Sequence, residues 1–590
     1  MPFDGFVLAA IRKELEERVT GCFIDRIYQP SANSLVFNLR QAKGRIRLFL
    51  SAHPTNARAH LMQTPVENPA SPPSFCMVLR KYLEGGRIKN IYQAGLDRIL
   101  VLEIEAKDEI GAPAHRDLIC EIMGKHSNII LVNHQTGQIV DAIKRYSHLV
   151  SRYREVLPGK PYLSPPAQDK RNPLLLSEEE FELTILSQPL ELPLLDILQI
   201  CLDGFSKTLA REVVYRADLT GKTILDKCGD YELKRLWQAL QEIITPARND
   251  QFEPTLVLNH KKYIDFAAFD LSHLTGLIHK KGEMNVLVDN FYAQKEASEE
   301  IEKQRLLLNK LVRKKLKHLE KKLALHQEKL DAAQEANKYR LYGELLMANL
   351  YRLEDGLAET LLENFYDPEH KLVCIPLYPD LSPVENALSY FKKYNRTKHA
   401  LKKSAGFIAE MQKEHTYLAS VETTLQQATS RTNLQEIKEE LTEQGYLEKE
   451  NKKKRKKLPR APEILTFISS DGFTILIGRN NKQNDYLIRH LARDNDLWLH
   501  VKNIPGAHVI IRVENRQPTP TVLQEAASLA AYHSQARYAQ NVPVDYTLRK
   551  NVHKPRDARP GFVVYKEQQT INVNPEEELL ERLTRQKSEE

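Results

Sequence analysis

Apolar positions near the start of the chain change period. Val7, Ala10, Ile11 and Leu15 recur at helical spacing behind Asp4, whose carboxylate suits the free amides of a first turn. The stretches 22–28, 34–39 and 45–50 read instead as strands. Pro72, Pro73 and Ser74 lead into a helix that Gly85 and Gly86 stop. Strands are expected again over 88–93, 98–105, 118–122, 128–132 and 138–143, with a hairpin loop at 133–137. The pattern predicts a β-rich domain with flanking helices over 1–170. Proline and polar residues over 158–175 mark a connector, and a helical block follows over 171–250. Short strands and a closing helix over 251–293 are expected to fold back onto the first domain.

Between 296 and 350 there is no proline, and Leu308 and Val312, then Leu316, Leu319, Leu323, His326, Leu330 and Ala333, keep a spacing of three and four with one slip. Pro368, Pro376, Pro379 and Pro383 break the pattern over 364–383. A second helix is predicted over 383–448, with Leu401, Ile408, Met411, His415, Leu418 and Leu425 along its seam. Two long helices with a short insertion imply an antiparallel coiled-coil arm over 294–450, in which His326 and His415 are packing residues rather than metal ligands. A basic linker covers 451–461. A small α/β domain follows over 462–570, with turns at Asp471-Gly472 and Pro505-Gly506 and a helix capped by Thr519, before a tail at 571–590. The fold class is multidomain α+β: a β-rich N-terminal domain with a helix-hairpin-helix insert, the coiled-coil arm, and the C-terminal α/β domain.

Composition narrows the function. Charged residues are 28% of 590, and no apolar run approaches the roughly 18 residues of a membrane span. The N-terminus shows no secretory pattern. The six cysteines are scattered without a CxxC pair, so neither zinc nor a disulfide framework is expected, and the compartment expected is cytosolic. Net charge is only +7, but basic residues crowd into 310–322, 392–403 and 451–460. That clustering points to a polyanion partner, although solvated helix faces carry such charges as well.

Several motifs resemble the RqcH/NEMF (NFACT) family of ribosome-quality-control factors. They are the opening Met1-Pro2-Phe3-Asp4-Gly5, then Gly95-Leu96-Asp97-Arg98, and then Glu121-Ile122-Met123-Gly124-Lys125-His126-Ser127-Asn128. Ser382-Pro383, Asn386-Ala387 and Tyr390-Phe391-Lys392-Lys393-Tyr394-Asn395 follow. Asp496-Leu497-Trp498-Leu499-His500-Val501, Pro505-Gly506-Ala507-His508-Val509, Asp545-Tyr546-Thr547, Lys554-Pro555 and Pro560-Gly561 complete the series, and the likeness covers about residues 1–570. The resemblance implies a cytoplasmic, ribosome-associated protein. It would bind large ribosomal subunits (rRNA) still holding peptidyl-tRNA and recruit charged tRNA, typically alanyl, for template-free C-terminal tailing of the nascent chain. A small RNA-binding helper protein is a further partner the resemblance allows. The ribosome itself would make the peptide bonds, so no catalytic residue, cofactor or metal is expected. Asp97, Arg98, Glu121, Ile122 and Met123 are the implied tRNA-handling residues.

The chemistry of these residues is compatible with that role. Arg98 can supply a planar fork and Asp97 an acceptor for base amino groups, though a surface Asp-Arg pair is also ordinary. Glu121, Ile122 and Met123 could equally be a plain strand with Ile122 buried. Gly204 and Lys207 lie in Leu202-Asp203-Gly204-Phe205-Ser206-Lys207, a glycine turn between helix-like stretches. That is the pattern of a helix-hairpin-helix, which aims backbone amides at phosphate, but any helical hairpin can use such a glycine. In the last domain Arg549, Lys550, His553, Lys554 and Arg556 form a basic patch. His500 and His508 flank a turn and either contact phosphate or cap it, while Trp498 reads as core. Two other readings stand beside this one. A DNA glycosylase/AP lyase would use the amine of Pro2, but Phe3 replaces that family's glutamate and its four-cysteine zinc finger is missing. A fibronectin-binding surface adhesin would need an export signal, and none is visible.

Overall fold

The computed structural model describes the chain except residues 1–2, 42–43, 64–65, 67, 109–110, 150–152, 167, 261, 334–335, 449–461, 515, 577, 580–581 and 584–590, and except the side chains at 329–333, 400, 401, 403 and 405. Pro2, the basic linker and the seam positions Leu330, Ala333 and Leu401 therefore lie outside what is described. The chain divides into two units, Met1–Ser298 and Glu299–Glu590.

In the first unit, α1 (Gly5–Val19) starts at Asp4, whose Oδ1 accepts the Val7 amide at 3.0 Å. Strands β1 (Phe23–Ser31), β2 (Ser34–Gln41), β3 (Gly44–Ser51) and β4 (Arg58–Leu61) precede α2 (Ser74–Leu83). Then come β5 (Arg87–Gln93), β6 (Ile99–Lys107), β7 (Pro113–Glu121), β8 (Asn128–Asn133) and β9 (Ile139–Ala142). These nine strands form one sheet in the order β4-β3-β2-β1-β5-β6-β7-β8-β9. Every pairing is antiparallel, with short turns such as that between β7 and β8. Strand β4 escapes the sequence pattern because Arg58 and His60 interrupt its apolar run. Both are buried: the Arg58 guanidinium lies 4.6 Å from the Phe49 ring centre and 4.3 Å from that of Tyr292, and it pairs with Glu296 at 2.7 Å.

Helices α3 (Glu178–Leu186), α4 (Leu194–Cys201), α5 (Lys207–Arg216) and α6 (Asp230–Arg248) follow. A three-stranded sheet, β10 (Thr255–Asn259), β11 (Lys262–Ala267) and β12 (Ile278–Lys281), then leads to α7 (Met284–Ala333). One apolar core joins these elements: Phe6 and Ile11 of α1, Phe37 of β2, Phe181, Leu198, Val213 and Leu240 of the helices, and Val288 at the start of α7. Glu14 of α1 ties down that start, accepting the amides of Met284 (2.6 Å) and Asn285 (3.0 Å).

In the second unit, α7 continues and α8 (Ala336–Ala348), β13 (Glu359–Glu363), β14 (Leu372–Pro376), α9 (Pro383–Gln427) and α10 (Arg431–Glu443) follow. Contacts pair rising numbers on α7 with falling numbers on α9, so the helices run antiparallel. Arg305 meets Gln426, Arg313 meets Glu422, Glu320 meets His415, and His326 packs on Phe407. The seam buries Val312, Leu316, Leu319, Leu418, Val421 and Leu425. The insertion is a small folded head. Paired β13 and β14 pack on Tyr342, Leu345 and Tyr390, and the motif residue Asn386 accepts the Tyr378 amide while donating to the Leu381 carbonyl. Gly343 permits the close approach of Phe391, whose ring atoms would stand 3.0 Å from a Cβ there. The helix expected over 383–448 is broken in two. The chain turns extended at Ala428, and the Ser430 hydroxyl accepts the Asn433 amide to start α10 afresh.

The C-terminal part comprises β15 (Leu465–Ile468), β16 (Thr474–Gly478), α11 (Asn481–Tyr486), β17 (Leu497–Val501), β18 (His508–Ile511), α12 (Pro520–Tyr532) and β19 (Val542–Leu548). Short strands β20 (Val552–His553) and β21 (Val564–Tyr565) and then β22 (Gln569–Val573) end it. Six strands form a sheet in the order β15-β16-β18-β17-β19-β22. Period-two alternation divides its side chains: Ile475, Leu499 and Val509 face α12, while Leu476, Trp498 and Ile510 pack on Leu487, Ile488 and Val552.

Candidate nucleic-acid interface

Asp97 and Arg98 end the turn between β5 and β6, and two glycine-bearing segments, at Gly5 and Gly204, pack closely against that turn. Leu96 is buried beneath it. A Cβ on Gly5 would stand 2.1 Å from the Leu96 carbonyl oxygen, and a Cβ on Gly204 would stand 2.7 Å from the Leu96 Cβ. The Gly5 amide donates to the Gly204 carbonyl at 3.2 Å. Gln93 Nε2 donates to the carbonyls of Gly5 (3.0 Å) and Asp97 (2.9 Å). Asp4 accepts from the Ser206 hydroxyl at 2.6 Å, and burial lifts its carboxyl to about 6 despite these donors. Thus the chain's opening, the β5–β6 turn and the loop between α4 and α5 interlock through positions that exclude larger side chains.

On this base Asp97 is exposed and Arg98 half-buried, and neither side chain hydrogen-bonds a protein group among the described residues. Lys170 and Asp203 complete a mixed-charge group around them. Desolvation and the nearby Asp203 carboxylate raise the Asp97 carboxyl from its ordinary value, with Arg98 and Lys170 opposing. Desolvation likewise lowers Lys170, against the pull of Asp203. Lys170 and Asp203 carry no signal in the sequence, because only folding brings the connector and the α4–α5 loop to the β5–β6 turn.

Glu121 and Ile122 are placed otherwise than a direct RNA contact requires. Glu121 is fully buried and takes a two-pronged bond from Arg154, with both contacts at 2.6 Å, plus the Tyr162 hydroxyl at 3.0 Å. Ile122 is fully buried too, and its amide donates to the Arg98 carbonyl at 2.8 Å. Met123 is half-buried against the apolar group around Ile99 and Ile119. Glu121 and Ile122 therefore present no exposed side chain and shape the strand end beside Arg98.

The other candidates separate by accessibility. Gly204 has φ +74°, its amide donates to Asp203 Oδ1, and its carbonyl takes Gly5, so its backbone is committed to packing rather than to phosphate. Lys207 is exposed at the start of α5. Lys550, His553 and Arg556 are exposed, whereas Arg549 donates to the Ile488 carbonyl at 3.1 Å and Lys554 pairs with Asp485. His500 stacks on Trp498 with ring centres 5.7 Å apart and planes 7° apart, and His508 meets the same indole edge-on at 5.5 Å. Burial lowers both imidazoles, His508 the more, which disfavours the cationic form that would meet a phosphate. For the lyase reading, Phe3 is fully buried and Asp4 serves as helix cap and Ser206 acceptor, which removes the one adjacent carboxylate from acid–base duty. Among the described residues no cluster of three or more His, Cys, Asp or Glu could hold a metal, and no helix is long and apolar enough to cross a membrane.

Comparison with known proteins agrees along the whole length. Residues 4–459 match the model of the NFACT N-terminal and middle domains, and residues 463–567 match that of the NFACT protein RNA binding domain. The chain is 38% identical to "Rqc2 homolog RqcH" of Bacillus subtilis over 98% of both chains. It is 35% identical to the protein of that name in Streptococcus suis, over 98% of this chain and 99% of the relative. A solved structure, the N-terminal part of the fibronectin/fibrinogen-binding protein from Streptococcus suis, is 32% identical, with 50% of this chain and 99% of that chain aligned at a TM-score of 0.41. Matched from its first helix through its last sheet, the chain belongs to the NFACT family of Rqc2 homologues.

Proposed function

We propose that the protein is a ribosome-associated quality-control factor of the cytoplasm. It binds large ribosomal subunits that retain peptidyl-tRNA, brings in charged tRNA, alanyl by family likeness, and directs template-free tailing of the stalled chain. A small RNA-binding helper protein is a further partner. The protein positions RNA and leaves peptide-bond formation to the ribosome, so it is not itself an enzyme.

One observation carries the tRNA-handling part: an accessible acceptor, Asp97, adjoins a cationic fork, Arg98, on a turn that Gly5, Leu96 and Gly204 immobilise. A preorganised turn loses little freedom on binding, which suits recognition of an unpaired tRNA loop. Exposed cations suited to rRNA phosphate lie elsewhere, at Lys310, Lys314, Lys315 and Lys317 on α7 and at Lys550 and Arg556 in the C-terminal domain. The test is co-sedimentation with purified large subunits over a salt series, combined with mass spectrometry of a stalled reporter. Steeply salt-dependent binding and tails that vanish in the Asp97→Ala/Arg98→Ala variant are expected. A protein that stays unbound at low salt while stalled chains are present would refute the reading.

A further inference from the structure

The first unit holds a pocket beside α5, apart from the Asp97 turn, with a volume of about 510 Å³. Lys207, Arg211 and Tyr215 are spaced four residues apart on α5, so they form one row of side chains along its face. Lys207 and Arg211 are exposed, and neither meets a protein acceptor among the described residues. Tyr215 is 46% exposed and offers a ring face. Asp196 of α4 adds a carboxylate, and apolar side chains such as Leu195 and Val214 complete the wall.

His273 closes another side, 6.5 Å from Tyr215 between ring centres. Its Nδ1 lies 2.6 Å from the buried Glu212 carboxylate, which also accepts from Arg216 Nε (2.7 Å) and from the amides of Ser272 and His273 (3.1 Å each). Burial opposes the charge on Glu212, but these donors prevail and hold its carboxyl down to about 2. The fixed anion orients the imidazole through Nδ1 and leaves Nε2 for a ligand. The volume falls in the range of small-molecule sites, about 300–1,000 Å³. Two exposed cations with no hydrogen-bonded acceptor among the described residues suit a phosphate, the tyrosine ring suits a planar base, and the carboxylate suits a base amino or imino group.

We propose that this pocket holds one unstacked nucleotide, with its phosphate between Lys207 and Arg211 and its base on Tyr215 facing Asp196. The inference rests on the RNA-binding reading and adds to it a second nucleotide site, distinct from the turn at Asp97 and Arg98. Either a free mononucleotide or a nucleotide splayed from an RNA strand supplies this chemistry.

The experiment uses the full chain. Affinity for a labelled single-stranded RNA hexamer of mixed sequence is measured, with AMP, GMP, CMP, UMP and inorganic phosphate as competitors. Ultraviolet crosslinking followed by peptide mass spectrometry locates the contact. The expected adduct is on the peptide carrying Tyr215. Tyr215→Ala should weaken hexamer binding about tenfold, while Tyr215→Phe retains it. Arg211→Gln should weaken it and reduce the slope of log affinity against log salt by about 1. Competition by mononucleotides at concentrations similar to those of the hexamer assigns the site to free nucleotides, and competition by the hexamer alone assigns it to RNA. Wild-type affinity in both Tyr215→Ala and Arg211→Gln overturns the proposal, as does inorganic phosphate competing as well as a nucleotide. Sedimentation of the wild-type chain with large subunits is scored separately. Its failure would defeat the ribosomal reading and leave the hexamer measurement to judge the pocket.

Discussion

Arg154→Leu should destabilise the first unit severely, although residue 154 lies in an irregular segment after the last strand of the sheet. The change removes both guanidinium contacts to Glu121, each 2.6 Å, and leaves a carboxylate with no solvent exposure that, among the described residues, keeps the Tyr162 hydroxyl at 3.0 Å as its side-chain donor. A charge-assisted hydrogen bond contributes about 1.5–3 kcal/mol, and stranding one partner of a buried ion pair costs about 3–5 kcal/mol in all. For a unit of this size the loss lowers the melting temperature by on the order of 10 °C. Trp237 and Trp498 stand in different units, so in a Trp498→Phe background Trp237 fluorescence follows the first unit alone. The double change Glu121→Leu/Arg154→Leu should recover much of the loss, because no charge is then stranded. A drop below about 2 °C for Arg154→Leu, or no recovery in the double variant, would refute the view that Glu121 is a dehydrated, structurally paired carboxylate.

Asp97→Ala/Arg98→Ala, by contrast, should leave the same melt within about 1 kcal/mol, since side chains with no hydrogen bond to the protein among the described residues support little of the fold, while mass spectrometry of the reporter shows tails absent. An early melt would show that the pair is structural. Gly204→Ala sets a Cβ 2.7 Å from that of Leu96 at a φ of +74°, and left-handed strain plus overpacking should cost about 2–4 kcal/mol by urea titration. A change under about 0.5 kcal/mol would dissolve the interlock argument. Burial raises Glu440 to about 7, against donors from Asn481 and Tyr417, so the folded state holds this proton more tightly than the unfolded chain. The associated stability is complete below the ordinary glutamate value of about 4.5 and is lost as pH rises through about 7. Glu440→Gln should flatten that decline between these values when Trp498 is followed in a Trp237→Phe background, and an unaltered slope would place the titration elsewhere.

Local periodicity determined much of the architecture. The three-and-four spacing through Leu316 and Leu319 marks the long helix α7, and alternation around Trp498 marks a strand of the C-terminal sheet, because both depend on residues a few positions apart. Punctuation was legible for the same reason: Asp4 and Thr519 act on amides three residues ahead. What lay beyond the sequence depends on distant partners. Strand β4 is polar in sequence and buried in fact, since Phe49 and Tyr292 receive Arg58 from either side. The break at Ala428 and the new start at Ser430 sit in sequence that continues the helical pattern. Glu121 looks available in its motif, but Arg154 and Tyr162 enclose it from more than thirty positions away. Lys170 and Asp203 join Asp97 and Arg98 only when the connector and the helical hairpin meet the turn. Arg211 and Tyr215 share a helix face with Lys207, yet only the opposing Asp196 and His273 make that face a pocket. A sequence sets which side of an element is apolar; which polar side chain remains free for a partner is decided by what the rest of the chain brings against it.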